Sequence, residues 1–183
     1  MQDMENVWAF AAGLSEEQKI KFFDDKTKAA LFDAGLLAPE DYFEPLQDID
    51  LTGIKIPDRA AMQHVMVGDF NNAGHITGGR HSFGSMAELS NRGIAYNIVR
   101  TAPNGVVFGN VPTHKTVSKQ TGERQTWFPD SWTKHDIYSA GIATANRGTN
   151  VHSYGKELAY KGVNVRILIT DGRISTIAPS EDQ

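Results

Sequence analysis

The chain has 183 residues, 40% hydrophobic and 22% charged, with a formal net charge of −4. That is the composition of a folded domain with room for one good core and at most a small accessory lobe. It contains no cysteine, which excludes disulfides, thiolate zinc sites and a cysteine nucleophile. No apolar run approaches the length of a membrane span. The opening "MQDMENVWAFAAGLSEEQK" lacks the basic flank and small-residue cleavage pattern of a signal peptide. The charge is uneven. Residues 1–63 carry 13 acids against 6 bases, whereas residues 64–183 carry 9 acids against 12 bases and all six histidines. The C-terminal part suits a polyanion and the N-terminal part repels one, although such splits are also common in soluble domains.

Residues 1–60 read as a helical N-terminal segment. Ser15 is placed to cap "EEQKIKFFDDKTKAALFDAG", with Glu16 and Glu17 in the first turn and Gly35 as the stop. Phe22, Phe23, Ala29, Ala30, Leu31 and Leu36 supply its apolar face. An irregular linker punctuated by Pro39, Pro45 and Pro57 follows.

Residues 61–183 read as a second, mixed segment. "AAMQHVMVGDF" is a short helix or strand entry, and "FGSMAELSNRG" a second short helix ending near Gly93. "IAYNIVRTA" and "GVVFGNV" flank a Pro-Asn-Gly hairpin signal, and "QTWF" is a further strand. After Pro129, Asp130 or Ser131 is expected to cap a helix, with Trp127 and Trp132 packing in its core. The terminal "VNVRILIT-DG-RISTIAP" alternates Val163, Val165, Ile167 and Ile169 before an Asp-Gly pair suited to a type I′ turn. The fold class is therefore α+β, short helices packed on antiparallel hairpins.

Chemistry concentrates in "QHVMVGDFNNAGHITGGRHSFG", where His64 and His81 lie 17 positions apart. Imidazoles give and take protons near neutral pH, each transfer contributing about 10²–10⁴-fold. One base and one acid across a phosphodiester are what RNA transesterification requires, with a cation or backbone N–H groups to hold the charge of the transition state. Gly78 and Gly79 allow close approach of backbone to phosphate. By spacing alone the two histidines can equally be structural. His64, His75 and His81 can also be read as zinc ligands, on a spacing that fits no standard zinc pattern.

Three blocks in order, "QHVMVGDF…GGRHSFG", "KQTGERQTWFPDSWTKHDIYSAGIA" and "VNVRILITDGRISTIAP", resemble the EndoU endoribonucleases, a family that includes the coronavirus uridylate-specific enzyme and bacterial toxin domains. The resemblance covers about residues 60–180. It implies an EndoU-like fold, no cofactor and no metal. It makes His81 the general base and His64 the general acid. Lys119 is the best match to the family's cation, with Lys115 a weaker one and Arg124 an alternative charge. Thr176 would contact phosphate or ribose, with Gln125, Thr126 and Gly79 completing substrate binding. Two positions depart from the family: Ala178 stands where a tyrosine is usual, and Gln125 where a serine is. Base preference is accordingly open. The remaining histidines, His75, His114, His135 and His152, carry no catalytic assignment. The resemblance further implies single-stranded RNA as partner, tRNA among the candidates. It also implies a secreted toxin acting in the target-cell cytoplasm, with a cognate immunity protein. The alternative is a catalytically silent RNA-binding or inhibitor-binding module on the same fold.

Overall fold

The computed structural model describes residues 26–37 and 50–183, and the chain divides into two compact units, Met1–Ile54 and Lys55–Gln183. In the first unit, residues 26–33 are helical. Gly35, at φ 71°, ends them as expected. Its N–H bonds the Phe32 carbonyl while that of Leu36 reaches back to Leu31, the paired bonds of a Schellman stop. The Ser15 cap, Phe22, Phe23, Pro39 and Pro45 lie outside the described residues.

The second unit is α+β, with all of its strands paired antiparallel. Helix α1 (Arg59–Met66) starts where the Asp58 carboxylate accepts the Ala61 N–H, and it buries Ala61, Met62 and Val65. Gly68, at φ 79°, turns the chain into β1 (Asp69–Phe70), which pairs with β2 (Ile76–Gly78). Helix α2 (Ser85–Asn91) follows. Strands β3 (Asn97–Thr101), β4 (Val107–Asn110) and β5 (Gln125–Trp127) make a three-stranded sheet in that order. The Pro-Asn-Gly segment sits in the β3–β4 connection, with Gly105 at φ 89°. Between β4 and β5 the chain makes a single 3₁₀ turn, Val117–Lys119.

Helix α3 (Lys134–Arg147) starts later than expected. Its cap is Thr133, not Asp130 or Ser131. The Thr133 hydroxyl accepts the Asp136 N–H at 3.1 Å and the Asp136 carboxylate accepts the Thr133 N–H at 2.8 Å. This reciprocal pair satisfies two orphan donors, where the earlier residues could satisfy one. The helix packs on the sheet β6 (Thr149–His152), β7 (Gly155–Tyr160), β8 (Val163–Thr170) and β9 (Arg173–Pro179), again in sequence order. The β6–β7 hairpin was not anticipated, because "TNVHSYGKELAY" has neither an Asn-Gly turn nor clean alternation.

Val163, Val165, Ile167, Ile174 and Ile177 face Ile137, Ala140 and Ala145 of α3 in the main core, each large aliphatic contributing about 1.5–3 kcal/mol by burial. Trp132 stacks on Phe128 there, ring centroids 4.9 Å apart. Trp127 instead belongs to a second cluster with Ile76, Leu89 and Val111, so it does not support α3. The Asp-Gly turn forms as expected, with Asp171 at φ 51° and Gly172 at φ 75°.

One irregularity in this sheet matters for the site. Leu168 pairs with Thr176 but Ile169 pairs with Ile174, so Ser175 is an extra residue, a β-bulge. Without it Thr176 would share the core face with Ile174. With it, Thr176 and Ala178 turn to the opposite face while Ile174 and Ile177 both stay buried, the re-aiming that bulges near functional sites commonly provide.

Thr133→Ala should lower stability by about 1 kcal/mol in urea denaturation, while Asp130→Ala and Ser131→Ala leave the midpoint unchanged. A larger loss at Asp130 or Ser131 would move the cap back to the position that the sequence indicates.

Candidate active site

The two histidines meet through backbone. His64 lies in the last turn of α1, whose final carbonyls have no partner within the helix. The Arg80 N–H donates to the His64 carbonyl at 3.1 Å and the His81 N–H to that of Val65 at 2.8 Å. The Gly-Gly-Arg-His segment thus completes the end of α1. Gly79 makes this approach possible: it sits at φ 74°, and a Cβ there would collide with the His64 carbonyl. Gly78 performs a similar service for the side chain, since a Cβ would fall 2.9 Å from the His64 ring.

Each ring is held by a second group. His64 Nδ1 lies 2.6 Å from the Asp69 carboxylate, which can only accept, so the proton sits on Nδ1. Its Nε2 lies 3.3 Å from the Thr176 hydroxyl. His81 is 4% exposed, and its Nδ1–H donates to the Thr126 carbonyl at 2.7 Å. In the neutral ring that leaves Nε2 with a free lone pair. Burial, followed by the charges of Lys119, His64 and His114, pushes the His81 imidazolium well below its ordinary value, against the opposing Thr126 hydrogen bond. His81 is therefore neutral at pH 7 and able to take a proton.

Lys119 ends the 3₁₀ turn. Desolvation pushes its ammonium down to about 8, with Glu181 opposing, so it remains a cation at neutral pH. Lys115 and Arg124 are exposed, and the charges felt by His81 come from Lys119, His64 and His114. The structure thus gathers His64, His81, Lys119 and Thr176.

Gln125 and Thr126 stand behind the site and not in it. Gln125 is fully buried, and its amide donates to the carbonyls of Gly79 and Arg80 at 3.2 and 3.1 Å. It cannot read a pyrimidine edge from there, which corrects the expectation that it binds substrate. Thr126 is buried too, and its hydroxyl donates to the Pro179 carbonyl at 3.0 Å, joining β5 to β9. Gly79 likewise acts by letting backbone pack against α1. His75 is exposed near the β1–β2 turn. Among the described residues no group of three or more His, Cys, Asp or Glu is gathered to hold a metal ion, so His64, His75 and His81 do not form a zinc site.

Two contributors were not singled out from sequence. Asp69 was visible as the acid that follows the glycine in the quoted "QHVMVGDF" block. His114 had no such signal. It is buried, its Nδ1 accepts the Thr116 N–H at 2.8 Å, and burial and then Lys119 hold it at about 4. It shapes the turn that carries Lys119, whose N–H bonds the Thr116 carbonyl.

Fold and site together bring two imidazoles and an ammonium to the place where a helix end, a glycine loop and a sheet edge converge. The family is the bacterial EndoU nucleases: a family model of that description matches residues 58–181, and the chain belongs to it, with the fold of an EndoU-type endoribonuclease. Two solved structures are similar in fold. XendoU, described as a splicing independent snoRNA processing endoribonuclease, shares 13% identity at a TM-score of 0.48, over 91% of this chain and 80% of that one. The endoribonuclease Nsp15 encoded by Middle East Respiratory Syndrome Coronavirus shares 16% at 0.41, over 79% of this chain and 41% of its own length. No curated protein matches the chain.

The two depressed imidazoles also govern stability. Between about pH 6.5 and 4 the unfolded chain binds protons at His81 and His114 that the folded chain refuses, so stability falls as pH drops through that window. Urea midpoints measured from pH 7 to 4.5 should decline, and more gently in His114→Gln. An equal decline in both would remove His114 from this role.

Proposed function

We propose that the chain is a metal-independent endonuclease of single-stranded RNA, cutting by attack of the 2′-OH on the adjacent phosphorus. His81 Nε2 takes the 2′-OH proton as the O2′–P bond forms. The P–O5′ bond breaks as His64, entering the reaction as the imidazolium with its Nδ1–H on Asp69, delivers its Nε2 proton to the leaving oxygen and is left neutral. The products are a 2′,3′-cyclic phosphate and a 5′-OH. Lys119 offsets the charge that builds on the non-bridging oxygens, and Thr176 orients His64 or the phosphate. Asp69 holds the His64 ring for its transfer, as the Thr126 carbonyl does for His81. The observation that carries this reading is the fixed tautomer of a desolvated His81, its free Nε2 left beside a second imidazole and an ammonium.

Residues 61–183 constitute the catalytic domain in this proposal, and residues 1–60 a helical N-terminal segment. The setting we favour is a bacterial toxin, secreted and acting in the target-cell cytoplasm on RNA such as tRNA, with a cognate immunity protein. Family membership supports this setting. Ala178 supports a relaxed base preference, because it offers no aromatic face. It also favours the second reading, a silent RNA-binding or inhibitor-binding module.

A gel assay separates the two. Wild-type protein should cleave single-stranded RNA undiminished in EDTA, and His64→Ala or His81→Ala should each lose at least about 10²-fold with an unchanged circular dichroism spectrum. RNA binding without cleavage by the wild type would establish the silent module instead. The pH dependence of kcat/KM gives a further test. The rate should fall on the acid side only well below 6.5, where His81 is protonated, and on the alkaline side with loss of a proton from the general acid His64 or from Lys119, whose ammonium is lost at about 8. Lys119→Arg, charged throughout this range, should displace the alkaline fall upward at a lower plateau. An alkaline limb that does not move would assign it to another group.

A further inference from the structure

The pairing register lays out a line of side chains that extends beyond the acid–base centre. Thr176 of β9 is opposite Leu168 of β8, and Leu168 is opposite Gly155 of β7. Residues directly opposite in an antiparallel pair project to the same side of the sheet. This row therefore lies on the face that carries Thr176, away from α3. His152 of β6 is opposite Gly155, and its imidazole fills the space where a Gly155 side chain would stand. That places the ring on the same face. Tyr154 lies against it, ring centroids 4.2 Å apart at 48°, and is 59% exposed. Its own carbonyl accepts the Ile169 N–H at 2.8 Å, which ties the β6–β7 turn to β8.

Two strand spacings, about 10 Å in all, separate Gly155 from Thr176. An exposed aromatic pair thus stands on the same surface as the His64–Thr176 contact and a short distance across the sheet from it. The line also has a direction. His81 is held by Thr126 of β5, which bonds Pro179 of β9. Next comes His64 at Thr176, and beyond it lie β8, β7 and the rings. The position usually aromatic in this family is Ala178, and Leu168 between Thr176 and Gly155 is aliphatic.

We infer that Tyr154, braced by His152, is a stacking platform for the base of the nucleotide on the leaving side of the cut, 3′ to the scissile phosphate. The assignment to that side rests on the proposed roles, His81 at the 2′-OH and His64 at the departing oxygen. The platform binds any base, because every base has a π-face.

The test compares a short RNA carrying a purine 3′ to the cut with the same RNA abasic at that position. On the first, Tyr154→Ala should raise KM about 5- to 150-fold, with kcat little changed and Tyr154→Phe close to wild type. On the abasic RNA all three proteins should be alike. The same pair of RNAs with a 2′-deoxy residue at the cut binds without being cleaved, and fluorescence anisotropy should show the same ratio in Kd. This arm is independent of catalysis: a wild type that binds but never cuts defeats the nuclease reading and leaves the platform to be judged on Kd. Wild-type behaviour of Tyr154→Ala on the purine RNA would overturn the inference, as would an equal loss on the abasic one.

Discussion

The geometry of the imidazole pair depends on two backbone hydrogen bonds, from the Arg80 and His81 N–H groups to the carbonyls of His64 and Val65. A helix end exposes unpaired carbonyls, and something must satisfy them. Here the partner is the segment that carries the second histidine, so completing the helix and setting the imidazole pair are a single event. Gly78 and Gly79, just before His81, serve close contact with His64. Gly79 lies against the His64 carbonyl because it has no Cβ, and its left-handed backbone is one that glycine adopts without penalty. Phe128 donates its N–H to the His81 carbonyl at 2.7 Å, and Gln125 supports Gly79 and Arg80 from behind. The loop is therefore fixed on two sides, by α1 and by β5.

A second constraint is desolvation. Burial disfavours the charged form of His81, His114 and Lys119 alike, and the Lys119 charge makes protonation of both histidines harder still. Three positive charges there would be costly, and the arrangement settles on one. The two imidazoles stay neutral and Lys119 keeps the charge, with Glu181 helping it. His64 is treated differently. It is only half-buried and has a carboxylate at 2.6 Å. In the proposed reaction the two imidazoles, one sealed behind β5 and one open to a carboxylate, take the base and the acid role respectively.

Much of this was legible in the sequence, for reasons that can be traced. His64, His81 and Thr176 sit in short ordered motifs whose spacing is fixed by the helix end and by the Asp-Gly hairpin. Local chemistry also announced the β3–β4 turn, the β8–β9 turn and the Gly35 stop. The cap of α3 was misplaced because Thr133 competes with two other good capping residues, and only the return bond from Asp136 decides between them. Gln125 was misread because a polar residue beside a motif looks available, while its burial depends on β4 and β9, which are distant in sequence. The bulge at Ser175 left no local trace. Ile174, Ser175, Thr176 and Ile177 read equally well as simple alternation with Thr176 inward, and only the cross-strand register shows Thr176 turned toward His64.

Arg80, the residue between Gly79 and His81, shows what this loop costs. It is fully buried at φ 60°, a conformation that side-chain-bearing residues take at a cost of about 1–3 kcal/mol. Its guanidinium donates to the Ser85 carbonyl at 2.9 Å and lies 4.8 Å from the centre of the Phe70 ring. It therefore reaches under β1 to the start of α2 and pins the loop to both. Relaxing Arg80 to an extended backbone would relieve the strain but withdraw its N–H from the His64 carbonyl and swing His81 off Val65. The strained conformation is kept because three elements, α1, β5 and α2, each hold it by a separate bond. The imidazole pair is consequently preorganised by the fold before any substrate arrives.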